Sequence, residues 1–405
     1  MTNYNGLTIL IPSRNRADFA INAVKSVLDY IEDCNLKIVI SDNSSTNSRS
    51  EQLKDFCESL NNPDIKYIRP DKELAMTVHW NWAMTKAIEL FDTNHYTILS
   101  DRMVFKKDVM PDLIEIIKSY PNELISFIQD GVVDIKYPIT YYNTECTEKI
   151  YQVDCNYLLE LASKYQTKEF FPRQINSIMP ISLINKMKKT FGQLFDSFVV
   201  DYEFCFKALY LLNTFVYYDK GILIHYGMSV SNGSPVFFGL SGKTQKDFIK
   251  LSGFNSLNDA YKEYLLLPEV NCITNAVFLE YLKLQKQINT NKLPPMNKEE
   301  YLNAIYQETN FYINQKDKKR VIDILKKQGF KVPKSKNKLD YKKYLKTPKL
   351  IFKEINKYFD YYKLTEVSIE DSMKMIEYMN NNPPKKVPES KYSKLLLANN
   401  GRVLI

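Results

Sequence analysis

The stretch LTILIPSRNR, residues 7–16, decides how the chain is read. Its first six residues form a short apolar run suited to a strand buried on both faces. From Arg16 to Tyr30, Phe19, Ala20, Ala23, Val24, Val27 and Leu28 then recur at helical spacing. The turn between strand and helix, PSRNR, contains no glycine. A dinucleotide-binding unit needs G-x-G-x-x-G at that point, because only glycine lets a pyrophosphate approach the backbone. The turn therefore argues against nicotinamide and flavin enzymes of that type, and no G-x-x-x-x-G-K-[ST] phosphate loop occurs either.

Working outward, LKIVIS (36–41), IKYI (65–68), HYTILS (95–100) and LISFI (124–128) read as further strands. The polar turn DNSSTNS (42–48) and helices near 51–60 and 73–91 separate them. Strand and helix in alternation imply a parallel sheet covered on both faces. Ligands of such sheets bind beyond the carboxyl ends of the strands. That rule selects the loops Ser13–Arg16, Asp42–Ser48, Arg69–Leu74 and Asp101–Phe105.

From about residue 130 the alternation breaks. GVVDIKYPITYYNTE (131–145) reads as extended, partly antiparallel structure, and 156–165 and 181–190 as helices. FDSFVVDYEFCFKALYLL (195–212) reads as a short strand running into a helix, followed by strands at 215–218 and 222–226. SVSNGSPVFFGLSGKT (229–244) is a Ser- and Gly-rich loop of mobile character, and the remainder is mainly helical. These shifts divide the chain into 1–245 and 246–405.

Composition narrows the class further. Of 405 residues, 44% are hydrophobic, enough for a substantial core. Six cysteines without a C-x-x-C pair suggest neither a zinc site nor a disulfide framework. Only three histidines occur, which limits any site built from imidazole. No run approaches the roughly 20 apolar residues of a membrane span, and the start lacks the order of a secretion signal, so a cytoplasmic location is expected. The net charge of +8 is local: residues 316–349 hold 14 lysines and arginines against three acids. That segment suits docking on an anionic membrane surface, and equally a solvated basic face. Nucleic acid is not the expected partner.

Together, TILIPSRNR before a helix, IVISDNSSTN at the second strand and ILSDRMVF at the fourth resemble the family 2 glycosyltransferases. These share the nucleotide-sugar-binding fold called GT-A, and the resemblance covers roughly the first 230 residues in order and spacing. It implies an α/β fold, a mostly parallel sheet with flanking helices, followed here by a mainly helical C-terminal region. The implied activity is inverting transfer of a sugar from a nucleoside diphosphate sugar, UDP-linked, to a hydroxyl of a glycan or lipid-linked glycan. The implied product is a bacterial surface polysaccharide such as capsule or lipopolysaccharide.

Carried over residue by residue, the resemblance puts Ser13 and Asn15 in the nucleotide loop and Asp42 where a carboxylate accepts a hydrogen bond from the base. Asp42 also suits a strand-end turn. Asn81, in ELAMTVHWNWAMTKA (73–87), matches the family's helix asparagine, and Trp80 and Trp82 beside it suit either core or sugar. Asp101 falls where a Mg²⁺ or Mn²⁺ ion bridges the diphosphate, with His225 as a further ligand. Arg102 stands where a second acid is common, which weakens the metal site and offers a fixed cation for phosphate instead. In FVVDYEF, Asp201 is the expected base and Glu203 the second candidate, although Asp201 also suits a helix cap. Because Arg102 and Val200 replace acids, a non-catalytic sugar-nucleotide or glycan-binding partner of an assembly complex is the alternative reading.

Overall fold

The computed structural model describes residues 4–333 apart from 135–137, 198, 232, 234–235, 237–242, 257–258, 260–261, 289–291 and 313, together with 367–391 and the backbone of 403–404. Strand β1 (Leu7–Ser13) is buried along its whole length, as its unbroken apolar run requires. It pairs in parallel with β2 (Leu36–Asp42), and β2 with β3 (Ile65–Ile68). Alternate side chains serve opposite faces. Ile9, Ile11, Ile38 and Ile40 pack with Ala20, Ala23 and Val24 of α1 (Ala17–Lys25), near α2 (Asn47–Ser59). Leu10 and Val39 pack with Ala83, Met84 and Ala87 of α3 (Met76–Leu90).

On its other side β1 pairs in parallel with β4 (His95–Ile98). The expected fold class holds: a mostly parallel sheet lies between helices, and the C-terminal region is helical. Strict parallel order does not extend to the fifth predicted strand. Between β4 and β6 (Ile125–Val133) lies an antiparallel strand, Ser177–Pro180, from the irregular middle of the chain. Beyond β6 comes Thr214–His225, parallel to it and antiparallel to both Met103–Phe105 and Ile150–Asp154.

Two local readings are corrected. No strand forms in the described residues of 195–199, because the N–H groups of Asp196 and Ser197 turn in to the carboxylate of Glu203 on the helix α7 given below. The strands expected at 215–218 and 222–226 are one, with its register shifted around Gly221.

After α4 (Met110–Ser119), α5 (Cys155–Ser163) and α6 (Ile181–Phe191), α7 (Val200–Leu211) carries the C-terminal helices. Helix Ile273–Ile288 packs on α7, with Tyr281 edge-on to Phe206 at 5.3 Å between ring centroids. One core cluster consequently contains Leu10 and Leu325. Helix Ile369–Asn381 returns to β6, where Ile376 and Met379 share a small core with Phe19, Val132, Ile224 and Tyr226.

Candidate functional site

The carboxyl ends of β1, β2 and β4 meet in a set of hydrogen-bonded loops. Asn43 N–H donates to the Ser13 carbonyl at 2.8 Å, and Asn43 exchanges two side-chain bonds with Leu74 at 2.8 and 2.9 Å. Asn15 sits in the left-handed region at φ 59°, a conformation asparagine tolerates well. There its N–H donates to Ser44 Oγ at 2.8 Å, and its Oδ1 accepts from Ser45 N–H at 2.9 Å. Arg14 pairs with Glu73. Three loops distant in sequence thus form one wall.

Asp42 is fully buried in that wall. Its Oδ1 accepts from Ser44 N–H at 2.9 Å and Ser44 Oγ at 2.5 Å, and its Oδ2 from the Tyr67 hydroxyl at 2.8 Å. The turn reading is therefore realised, through a bond to the backbone two residues on. A carboxylate oxygen has two acceptor positions, so one is left on Oδ2.

Asp101, 1% exposed, joins the first loop to the fourth. Its Oδ2 accepts from Ser13 Oγ at 3.1 Å and pairs with Arg16 Nε at 2.9 Å. Among the described residues its Oδ1 is buried with no partner. An unsatisfied buried acceptor costs about 1–3 kcal/mol.

Arg102 follows directly. Its Nη1 donates to His225 Nε2 at 2.9 Å and to the carbonyls of Tyr226 and Gly227 at 3.3 and 3.1 Å. Gly227 has φ +68°, and a Cβ there would fall 2.6 Å from the Phe19 ring, so glycine is required. Among the described residues Arg102 Nε is buried without a partner. Burial, then the Arg16 charge, push the guanidinium down to about 10, while Asp101, Asp134 and Asp201 oppose the shift. It stays charged at neutral pH.

Since a guanidinium only donates, His225 Nε2 is an acceptor and the ring is neutral. Burial holds its pKa well below the ordinary value, aided by the charges of Arg102, Arg173 and Arg16.

Asp201 lies in the first turn of α7, but among the described residues no side chain caps that helix. Its Oδ1 instead accepts from Gln174 Nε2 at 2.5 Å. Burial raises its pKa, with Arg173, Gln174 and Arg102 pulling the other way. Arg102 stands in the field of both Asp101 and Asp201.

Two candidates lie elsewhere. Glu203 accepts from Asp196 N–H at 2.5 Å and Ser197 N–H at 2.9 Å, and pairs with Lys207 at 2.6 Å. It is 4% exposed, and burial pushes it up to about 7 against the pull of Lys207. Asn81 donates to the carbonyls of Thr77 and Phe195 at 3.1 and 2.5 Å and accepts from Phe195 N–H at 3.1 Å. Its amide is taken up in bracing the segment before α7. Trp80 packs edge-on against Phe195, and Trp82 stacks near His79, which is a core contact in each case.

Sequence reasoning missed Arg16, Arg173, Gln174 and Asp134. Arg16 stood in the quoted PSRNR turn, but only its neighbours were singled out. Arg173 and Gln174 come from the irregular middle segment, where no periodicity announces them. Asp134 accepts from Gly227 and Met228 N–H at 2.7 and 2.8 Å and from Ser372 Oγ at 2.8 Å.

The donor set does not fit Mg²⁺ or Mn²⁺. Among the described residues no group of three or more His, Cys, Asp or Glu side chains could hold an ion. Asp101 and His225 are not brought together as ligands, because Arg16 takes one oxygen of the first and Arg102 the Nε2 of the second. Of the basic segment 316–349, helix Gln315–Lys327 buries Val321 and Leu325, and residues 334–349 lie outside the described residues. Among the described residues no helix is long and apolar enough to cross a membrane.

Comparison with known proteins agrees with the resemblance drawn from the sequence. Residues 8–178 match glycosyl transferase family 2. WcaA of Escherichia coli (strain K12), named as a colanic acid biosynthesis glycosyl transferase, is 28% identical over 178 residues. That match covers 43% of this chain and 56% of WcaA, so the chain spans about half the length of that curated relative. Among solved structures, S. aureus TarS 1-349 in complex with UDP-GlcNAc is similar with a TM-score of 0.43 and 12% identity, over 80% of this chain and 92% of that one. GalNAc-T7 with UDP, GalNAc and Mn²⁺ has a TM-score of 0.43 and 14% identity, over 74% and 60%.

Proposed function

We propose that the chain transfers a sugar from a nucleoside diphosphate sugar, UDP-linked, to a hydroxyl of a glycan acceptor, with inversion at the anomeric carbon. The family match over residues 8–178 supports the reaction class, and the likeness to WcaA supports a surface polysaccharide as the product. Residues 1–245 carry the chemistry, 246–405 are its helical companion, and the cytoplasm is the place of action. A lipid-linked glycan at the membrane's inner face is the acceptor for which a basic C-terminal segment is suited.

In this reading Ser13, Asn15 and Asp42 form the wall that receives the nucleotide. Asp101 and Arg102 meet the sugar diphosphate. Asp201 removes the proton of the acceptor hydroxyl as its oxygen attacks the anomeric carbon and the diphosphate leaves on the opposite face. The raised pKa of Asp201 makes it a stronger base than an exposed aspartate. Glu203 and Asn81 hold the segment that carries it and touch no substrate.

The observation that carries the proposal is the pair of buried, unpartnered atoms on consecutive residues, Asp101 Oδ1 and Arg102 Nε, in the field of Asp201. One lacks a donor and the other an acceptor, a pairing that a sugar hydroxyl next to a phosphate answers. Melting temperatures measured against a panel of sugar nucleotides test it, since a ligand that binds only the folded state must stabilise it. A rise with UDP-sugars is expected, and no rise with any member of the panel would refute the reading.

A further inference from the structure

We infer that three guanidiniums, those of Arg16, Arg102 and Arg173, hold the donor's diphosphate in this chain without a divalent cation. The inference rests on the nucleotide-sugar reading above and adds the chemical means by which the leaving group is held.

The three side chains come from different parts of the chain: the loop after β1, the loop after β4, and the segment before the strand Ser177–Pro180. Arg102 donates to His225, Arg16 shares Asp101 with the same loop, and Gln129, which holds Arg173, is paired with Leu223 two residues before His225 on the neighbouring strand. The charges of all three bear on the His225 imidazole. Each is anchored by a different partner. Arg16 Nε pairs with Asp101 at 2.9 Å, Arg102 Nη1 donates to His225 at 2.9 Å, and Arg173 Nη2 donates to Gln129 Oε1 at 3.0 Å. Anchored guanidiniums present their remaining N–H groups in fixed directions, which suits the oxygens of a phosphate better than a flexible lysine would.

The same arrangement works against a metal. A doubly charged ion placed there would face three fixed cations. It would also find Asp101 half engaged by Arg16 and the His225 lone pair at Nε2 engaged by Arg102. A diphosphate meets the opposite situation. It brings acceptors to Arg102 Nε, which has none, and negative charge to a cluster where Arg16, 27% exposed in its side chain, remains accessible. Once the glycosidic bond breaks, the charge that develops on the departing diphosphate is met by groups already in place, so no ion has to be recruited.

Titration calorimetry of the full chain with UDP and with GDP, first in EDTA and then with Mn²⁺, tests the inference. Binding in EDTA, changed less than about 2-fold by Mn²⁺, is expected. Arg102→Gln should weaken it about 10–100-fold, the usual loss for a charge-assisted hydrogen bond, with no rescue by Mn²⁺. Arg16→Gln, at a partly exposed position, should weaken it in the same direction even if the buried Arg102 variant fails to fold. Binding that vanishes in EDTA and returns with Mn²⁺ would overturn the inference and leave the nucleotide-sugar reading standing. Unchanged affinity in both folded variants would also overturn it. No binding of either nucleotide under any condition would overturn both.

Discussion

Arg102 donates to Nε2 of His225 across 2.9 Å, and this bond fixes the character of the site. It turns a histidine placed where a metal ligand is expected into the acceptor for a cation. It also anchors that cation, which feels two carboxylates 100 positions apart in the chain, Asp101 and Asp201. The loop that closes around it, Tyr226–Met228, is held in turn by Asp134.

The first prediction concerns pH. Asp201 must be deprotonated to act as a base, and burial has raised its pKa. The acid limb of kcat/KM is therefore expected at higher pH than an exposed aspartate would give. Arg173 and Arg102 pull the value down, so Arg173→Gln should move the limb to higher pH. The same shift has a stability sign. A raised folded-state pKa means that the folded chain holds the proton longer than the unfolded one, so this group's contribution falls as pH rises from the ordinary value through the folded one. Asp201→Asn should thus melt at or above the wild-type temperature at pH 7.5. An acid limb that stays in place in Arg173→Gln would contradict the proximity claimed for the two residues.

Glu203 gives a contrasting expectation. Its pair with Lys207 is buried on both sides, at 4% and 3% side-chain exposure, and it also accepts two backbone N–H groups. Removing Glu203 leaves Lys207 its second pair, with Asp196 at 3.0 Å, but takes the acceptor from the N–H groups of Asp196 and Ser197, at about 1–3 kcal/mol for each group left unsatisfied. Glu203→Ala should lower unfolding free energy by that order in a denaturant titration, while the folded fraction keeps its UDP affinity. Loss of affinity at unchanged stability would return Glu203 to the binding site.

The far end of the chain should matter to the site as well. Ser372 on helix Ile369–Asn381 is 2% exposed and donates to the same Asp134 carboxylate that holds Gly227 and Met228. A hydrogen bond to a charged group contributes about 1.5–3 kcal/mol. Ser372→Ala should reduce stability by about that amount. Hydrogen exchange should rise at Gly227 and Met228, whose amides that carboxylate restrains. An unchanged denaturation midpoint with unchanged exchange would detach this helix from the site.

Much of this was legible in residues whose spacing has one physical meaning. The apolar run of β1 and the 3.6 period after it fixed strand, turn and helix. The carboxyl-end rule then selected the loops that hold Ser13, Asp42 and Asp101. What stayed hidden depends on contacts between distant segments. Nothing in the residues around Arg173 and Gln174 signals that an irregular stretch carries them to Asp201. No local pattern says that Asn81 and Glu203 face Phe195 and Lys207 rather than a ligand. The antiparallel strand Ser177–Pro180 between β4 and β6 was missed for the same reason, since its pairing at both edges is long-range.

The most direct measurement is the comparison of wild type with Asp201→Asn, in sugar transfer to acceptor and in UDP affinity by calorimetry on the same preparations. Loss of a positioned general base is expected to lower transfer about 10²–10⁴-fold. UDP affinity should change by no more than about 2-fold if Asp201 acts on the acceptor hydroxyl and not on the nucleotide. Transfer at the wild-type rate in a folded Asp201→Asn protein would contradict the account.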